Sequence, residues 1–238
     1  MNLRKSEING IKFWHRPGYS DLKTFEEVIG RKTYLKRGMT IVPGDRWLDA
    51  GANVGAFALQ AASLGAEVVS YEPDPICCEL IERNLKLNNL KADIKQAALV
   101  PDDRKFVRLF IGNNGNVWRN SIVKQWNKES IKVSCLNFDN EAKGFSAAKI
   151  DIEGAEMPIL EATKKLFEKM VYEWSFDIDP SLTRLWKLLE RQKAHYRVEA
   201  AWNSIRFHDR EFTEWQKKWF PACTNVFCYE KHDASTSA

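Results

Sequence analysis

Apolar positions along the chain switch repeatedly between two periods. Residues 46–50 (RWLDA) read as an apolar strand ending in a carboxylate, and 53–65 repeat apolar side chains at helical spacing until Gly65 closes the run. A second strand is expected over 66–72. A helix then spans 74–89, with Asp74 as its N-cap and Pro75 at its first position. The pattern continues with a third strand over 92–100 and a hairpin made of 105–111 and 130–136 around the loop GNNGN. A fourth strand over 146–152 leads into a helix over 155–167. A fifth strand over 169–177, a helix over 181–194 and closing strands over 196–202 and 224–230 complete the chain.

Strands alternating with helices predict an α/β fold, a mostly parallel sheet with helices on both faces. The last two strands are joined by an insertion in place of a clear helix, which predicts an antiparallel edge strand. One domain is expected over 42–230. Before it, residues 1–41 mix charge and aromatics as an N-terminal extension and candidate acceptor-side cap; after it, 231–238 form a flexible polar tail.

Composition narrows the function more by exclusion than by indication. With 44% apolar and 29% charged residues, the 238-residue chain has the makeup of a globular domain able to bury a large core. A net charge of +4 is mild: it fits an acidic or phosphorylated partner without arguing for one, because a nucleic-acid footprint needs clustering. Five cysteines form no C-x-x-C pair and four histidines are scattered, so no metal site is expected. The cysteines read as reduced thiols of a cytoplasmic protein. No segment approaches the roughly 18 apolar residues of a membrane span.

The loop after the first strand carries the candidate chemistry. Its pattern, Asp49-x-Gly51-x-Asn53-x-Gly55, is neither the G-x-G-x-x-G of dinucleotide binding nor a phosphate loop, since no Gly-Lys-Ser/Thr follows. A carboxylate beside the first glycine repels a pyrophosphate and suits a cofactor with a cationic or amine-bearing end. Glu72 ends the second strand 21 residues after Gly51, where an acidic residue accepts hydrogen bonds from ribose hydroxyls. Ribose without phosphate, beside a cation, describes S-adenosylmethionine. Taken singly, each glycine reads equally well as a packing residue and Glu72 as a solvated strand end.

Together, WLDAGANVGAFAL, YEPDP and SAAKIDIEGAEMPIL resemble the FkbM family of class I S-adenosylmethionine-dependent methyltransferases, with KIDIEGAE intact over 149–156. The resemblance covers about residues 42–178 and departs from the family at Leu136-Asn137, where Leu-Asp is usual. It implies a Rossmann-like fold and a cofactor site at Asp49, Gly51, Asn53, Gly55 and Glu72. Pro73 and Asp74 are placed along the adenine edge, with Ala97 and Ala98 beside the base. It further implies O-methylation of a hydroxyl on a sugar or other small-molecule or glycan acceptor. A hydroxyl needs a base near the methyl. Asp151 at the end of the fourth strand is the first candidate, Glu153 the second and Glu156 the third. The competing readings are that Asp151 caps the next helix and that Glu156 complements its dipole.

Acceptor contacts are expected from Trp118 and Arg119 in the polar loop 112–121, from Glu173, which matches an acidic position of the family, and from Trp202. Phe212, Trp215 and Trp219 share one face of a helical pattern that reads either as core packing or as a lid. Carboxylates 151, 153 and 173 could hold Mg²⁺, but the Asp-Asn pair of metal-using O-methyltransferases is absent after the fifth strand. Two rival functions stand beside the first: methylation of RNA or DNA, and cofactor binding without catalysis. The Asn/Asp-Pro-Pro-aromatic motif of base-methylating enzymes is missing, which disfavours the former.

Overall fold

The computed structural model describes residues 1–175, 177–200 and 223–231. The chain opens with a hairpin, β1 (Arg4–Ile8) and β2 (Ile11–His15), turned by Asn9 and Gly10, both at positive φ as tight hairpins require. Helix α1 (Asp21–Phe25) continues into a wider turn over Glu26–Gly30. The alternating core follows: β3 (Arg46–Ala50), α2 (Ala56–Ser63), β4 (Glu67–Tyr71), α3 (Pro75–Leu87) and β5 (Asp93–Lys95). Next come β6 (Ala98–Val100), β7 (Phe106–Phe110), β8 (Ser130–Asn137) and α4 (Phe138–Glu141). The remainder is β9 (Ala147–Ile150), α5 (Glu156–Ala162), β10 (Lys169–Ser175), α6 (Leu182–Gln192), β11 (Tyr196–Ala200) and β12 (Cys223–Glu230).

The main sheet has seven strands in the order β11-β12-β10-β9-β3-β4-β5. Its β5-β4-β3-β9-β10 portion is parallel, and β12 runs antiparallel to both β10 and β11, as the sequence pattern implied. The period of two is visible in the packing. Trp47, Val68, Ala147, Val171 and Phe227 face one core with α2 and α3, while Leu48, Ala148, Tyr172 and Val226 face the other with α4, α5 and α6. Phe13, Phe25, Val28 and Ile29 of the N-terminal segment are buried in the first core. Asn84 of α3, fully buried, clamps the segment: its Oδ1 accepts the Trp14 N–H at 2.6 Å and its Nδ2 donates to the Trp14 carbonyl at 3.2 Å.

Three expected elements differ. The strand over 92–100 is two strands, because the chain kinks where the Ala97 N–H bonds the Lys95 carbonyl. β5 pairs with β4, whereas β6 leaves the main sheet to pair with β8. Ala98 and Val100 thereby fill a third, small core with Leu109, Val133 and Cys135. The helix over 155–167 stops at Ala162. Thr163 turns extended, its hydroxyl bonds Asp139, and the chain carries Phe167 into the second core. The fifth strand ends at Ser175 rather than 177. The aromatic pattern at 212–219, Trp202 and the tail beyond 231 lie outside the described residues.

Candidate active site

The chain builds β3, β4 and β5 outward in one direction, then returns to add β9 on the other side of β3. Ligands of open α/β sheets bind at such a reversal, beyond the strands' carboxyl ends. A cavity of about 250 Å³ lies there, walled by the loops after β3, β4 and β9, by the 117–122 segment and by the N-terminal segment through Thr24, Glu27 and Tyr34.

The floor is fixed by a buried ion pair. Asp49, fully buried at the end of β3, pairs with the Lys149 ammonium at 3.2 Å and accepts the Ser70 hydroxyl at 3.2 Å. Lys149 also donates to the carbonyls of Gly51 at 2.6 Å and Ala50 at 3.0 Å, which pins the start of the glycine loop. Burial pushes the Asp49 carboxyl up against the pull of Lys149. On Lys149, burial opposes the charge, but Asp49 and Asp151 outweigh it and hold the ammonium above its ordinary value.

Gly51 is required by close approach. It has φ +76°, and a Cβ there would lie 1.8 Å from the Asp151 carbonyl oxygen. Glu72 closes the other side of this loop. One of its oxygens accepts the Asn53 N–H at 2.7 Å and the other the Asp74 N–H at 2.9 Å. Burial pushes its carboxyl up to about 8. Glu72 also lines the cavity, and a carboxyl oxygen that already accepts one N–H can take part in a second hydrogen bond, which is what ribose hydroxyls would need. Pro73, Ala97 and Ala98 line the wall next to it.

At the opposite end, the carboxylate oxygens of Asp151, Glu153 and Glu173 lie within 4.8 Å of one another. Burial, reinforced by Asp151 and by Glu156, pushes the carboxyls of Glu153 and Glu173 well above the usual range. Glu153 sits in the left-handed region at φ +53°, held where the Ser121 hydroxyl donates to its carbonyl at 2.6 Å. The Tyr34 hydroxyl donates to Asp151 Oδ2. Above them, Trp118 Nε1 donates to Thr24 Oγ1 at 2.5 Å and Arg119 pairs with Asp177.

Of the site residues expected from sequence, Gly51, Asn53, Glu72, Pro73, Ala97, Ala98, Trp118, Arg119, Asp151, Glu153 and Glu173 line this one cavity. Asp49, Gly55, Asp74 and Glu156 do not. Asp49 lies beneath the loop as the partner of Lys149, and Gly55 starts α2 against Ile81. Asp74 caps α3 by accepting the Ile76 N–H at 2.8 Å and takes a second bond from Asn120. Glu156 accepts the N–H groups of Ile152 at 2.6 Å and Gly154 at 2.8 Å, so it braces the turn that presents Asp151 and Glu153; burial lifts its carboxyl to about 7. Asp151 does not cap α5: residue 155 is the N-cap. Tyr34, Thr24 and Glu27 were not foreseen, because they sit in a segment whose apolar spacing follows neither period. Lys149 had a visible signal in its position two residues before Asp151 on one strand.

A parallel sheet with this reversal, a glycine loop after its first central strand and an acidic end on the second define the class I S-adenosylmethionine-dependent methyltransferase fold. Within that class the chain belongs to the FkbM methyltransferase domain family, whose match runs over residues 49–198. Across 50 residues it is 42% identical to the ribosomal protein L11 methyltransferase of Bacillus cereus (strain B4264), a stretch covering 21% of this chain and 16% of that one. Across another 50-residue match it is 38% identical to methyltransferase sdnD of Sordaria araneosa, covering 20% and 19% of the two chains. The matches to these curated relatives thus span less than a fifth of their length. Among solved structures, a dimethyladenosine transferase from Plasmodium falciparum superposes with a TM-score of 0.50 at 11% identity, over 86% of this chain and 62% of that one.

Proposed function

We propose that the protein is an S-adenosylmethionine-dependent O-methyltransferase acting on a hydroxyl of a sugar or other small-molecule or glycan acceptor. The observation that carries this reading is the single cavity with Glu72 and the Gly51–Asn53 loop at one end and Asp151 among carboxyl groups at the other. Glu72 and the loop would hold the ribose and amino-acid parts of the cofactor, and Ala97 and Ala98 would flank its base. When bound, the cofactor supplies an electrophilic methyl group. Asp151 accepts the proton of the acceptor hydroxyl, and Trp118 and Arg119 orient the acceptor.

The lining of the cavity supports a neutral acceptor over a phosphate-bearing one. Among the described residues only two cations line it, and both are already paired, Lys149 with Asp49 and Arg119 with Asp177, while several of its carboxyls are held toward their neutral form by burial. The same three carboxyls at 151, 153 and 173 have the spacing of a cation site. We infer that transfer needs no metal, because the Tyr34 hydroxyl already takes Asp151 Oδ2 and the chain reads Glu173-Trp174 where metal-using O-methyltransferases carry an Asp-Asn pair.

Transfer of label from methyl-tritiated S-adenosylmethionine to parallel pools of monosaccharides, oligosaccharides and transcribed RNA, each with and without EDTA, tests this. Label in the sugar pools, unaffected by EDTA and abolished in Asp151→Asn, is the expected result. Label confined to RNA would overturn the acceptor assignment, and loss with EDTA would overturn the metal-free one.

A further inference from the structure

The family match begins at residue 49, yet the hydrogen-bond donor to the Asp151 carboxylate among the described residues comes from Tyr34, well before it. Tyr34 is 7% exposed, so its ring is part of the fold rather than a surface group. It stands edge-on to Phe57 of α2, with centroids 5.8 Å apart at 82°, and Lys149 Nζ lies 5.4 Å from its centroid. The backbone beneath it is tied down where the Thr33 N–H and hydroxyl both reach the Glu27 carbonyl, at 3.2 and 2.9 Å. The ring is therefore clamped from two sides, and its hydroxyl is aimed across 117 residues of sequence at one carboxylate oxygen.

That oxygen belongs to a group with an orientation problem. Glu153 and Glu173 place their own carboxyl oxygens within 4.8 Å of Asp151, and burial holds both toward their protonated form, so the Asp151 carboxylate could turn to accept a hydrogen bond from either neighbour. A fixed donor on Oδ2 stops that rotation. The groups facing the phenol are Asp151, Glu173, Asp49 and Lys149; burial and the carboxylates keep the phenol well above its ordinary range, which favours its protonated, donating form.

We propose that Tyr34 is a positioning residue of the methyl-transfer site, fixing the Asp151 carboxylate toward the place where the methyl and the acceptor meet, and that the N-terminal segment is thereby a working part of the site. This rests on reading the cavity as an S-adenosylmethionine site.

The test compares two cofactor analogues by calorimetry. S-adenosylhomocysteine carries a neutral sulfide at the reacting position, and sinefungin carries an amine there, which a correctly held carboxylate will favour. Tyr34→Phe keeps the ring and removes the donor. It is expected to weaken sinefungin about tenfold while leaving S-adenosylhomocysteine within about twofold, the scale of one charge-assisted hydrogen bond. In an Asp151→Asn background the preference for sinefungin is already lost, and Tyr34→Phe adds nothing. Equal weakening of both analogues would show a merely structural tyrosine and overturn the proposal, as would no change in either. Should the phenylalanine variant not fold, Asp151→Asn alone still decides: full retention of the sinefungin preference also overturns the proposal. Failure of the wild-type protein to bind either analogue would instead remove the cofactor reading itself.

Discussion

Replacing Glu72 by glutamine probes the cofactor end of the cavity without changing its shape. The carboxyl is 6% exposed, and burial raises its proton affinity from an ordinary 4.5 to about 8. That is about 3.5 powers of ten, or ~5 kcal/mol of penalty once the group is ionised in the fold. Because the folded-state value lies above the unfolded one, the stability linked to this group is fully present below pH 4.5 and is lost as pH rises through 8. Glutamine carries no such penalty. It does present one amide N–H₂ to either the Asn53 or the Asp74 N–H, and a mismatched buried donor costs ~1–3 kcal/mol at every pH.

The two effects have opposite signs and different pH dependence. At pH 5 the variant is expected to be less stable than wild type by ~1–2 kcal/mol, and at pH 8.5 more stable by ~2 kcal/mol or more. With roughly 2–4 °C of Tm per kcal/mol for a chain of this size, the difference in Tm swings by about 10 °C between the two conditions and changes sign. Calorimetric melts without ligand at both pH values read this directly. The same variant loses at least about tenfold in S-adenosylmethionine affinity, since ribose hydroxyls need acceptors there. A Tm difference that does not change with pH would refute the argument.

Asp151→Asn should bind S-adenosylhomocysteine within about threefold of wild type while losing roughly 10²- to 10⁴-fold in turnover, the range of a missing general base; a matching loss in affinity would place Asp151 in cofactor binding instead. Gly51→Ala forces a Cβ to within 1.8 Å of the Asp151 carbonyl, so the loop must move. A loss of ~3 kcal/mol or more in urea unfolding is expected, and a fully stable variant would contradict the close approach. Asp49→Asn leaves Lys149, 3% exposed, without its partner, at ~3–5 kcal/mol. Urea unfolding should show that loss while the folded protein binds S-adenosylhomocysteine normally; weakened binding at unchanged stability would put Asp49 in the cavity wall.

The sheet was legible because its strands are buried on both faces and bounded by turn residues, so Trp47-Leu48 and Val171-Tyr172 announce themselves as continuous apolar runs. The point at which β5 gives way to β6 was not, since a change of pairing partner leaves the apolar pattern of 92–100 intact. Site residues divide in the same way. Those on strand ends, Glu72 and Asp151, could be placed from topology alone. The roles of Asp49 and Glu156 could not, because whether a carboxylate beside a glycine faces a ligand or the underside of its own loop depends on what lies below, here Lys149 and the N–H groups of Ile152 and Gly154. Tyr34 was invisible for a third reason: a single side chain meeting its partner over 117 residues leaves no local pattern.

Under the proposed function these placements separate the tasks of the two ends. The cofactor end then lies within the family match, at the Gly51–Asn53 loop and Glu72. The acceptor end is a junction between that domain and the N-terminal segment: Trp118 bonds Thr24, the Ser20 N–H bonds the Gly115 carbonyl, Asn53 Nδ2 reaches the Val117 carbonyl at 3.4 Å, and Arg119 meets Asp177. The loop that faces the acceptor is thus held by the N-terminal segment on one side and by the cofactor loop on the other. Under the proposed function, changes in the N-terminal segment should therefore alter what the cavity accepts, through the support that Thr24 gives Trp118 and its loop, while leaving Glu72 and the glycine loop in place.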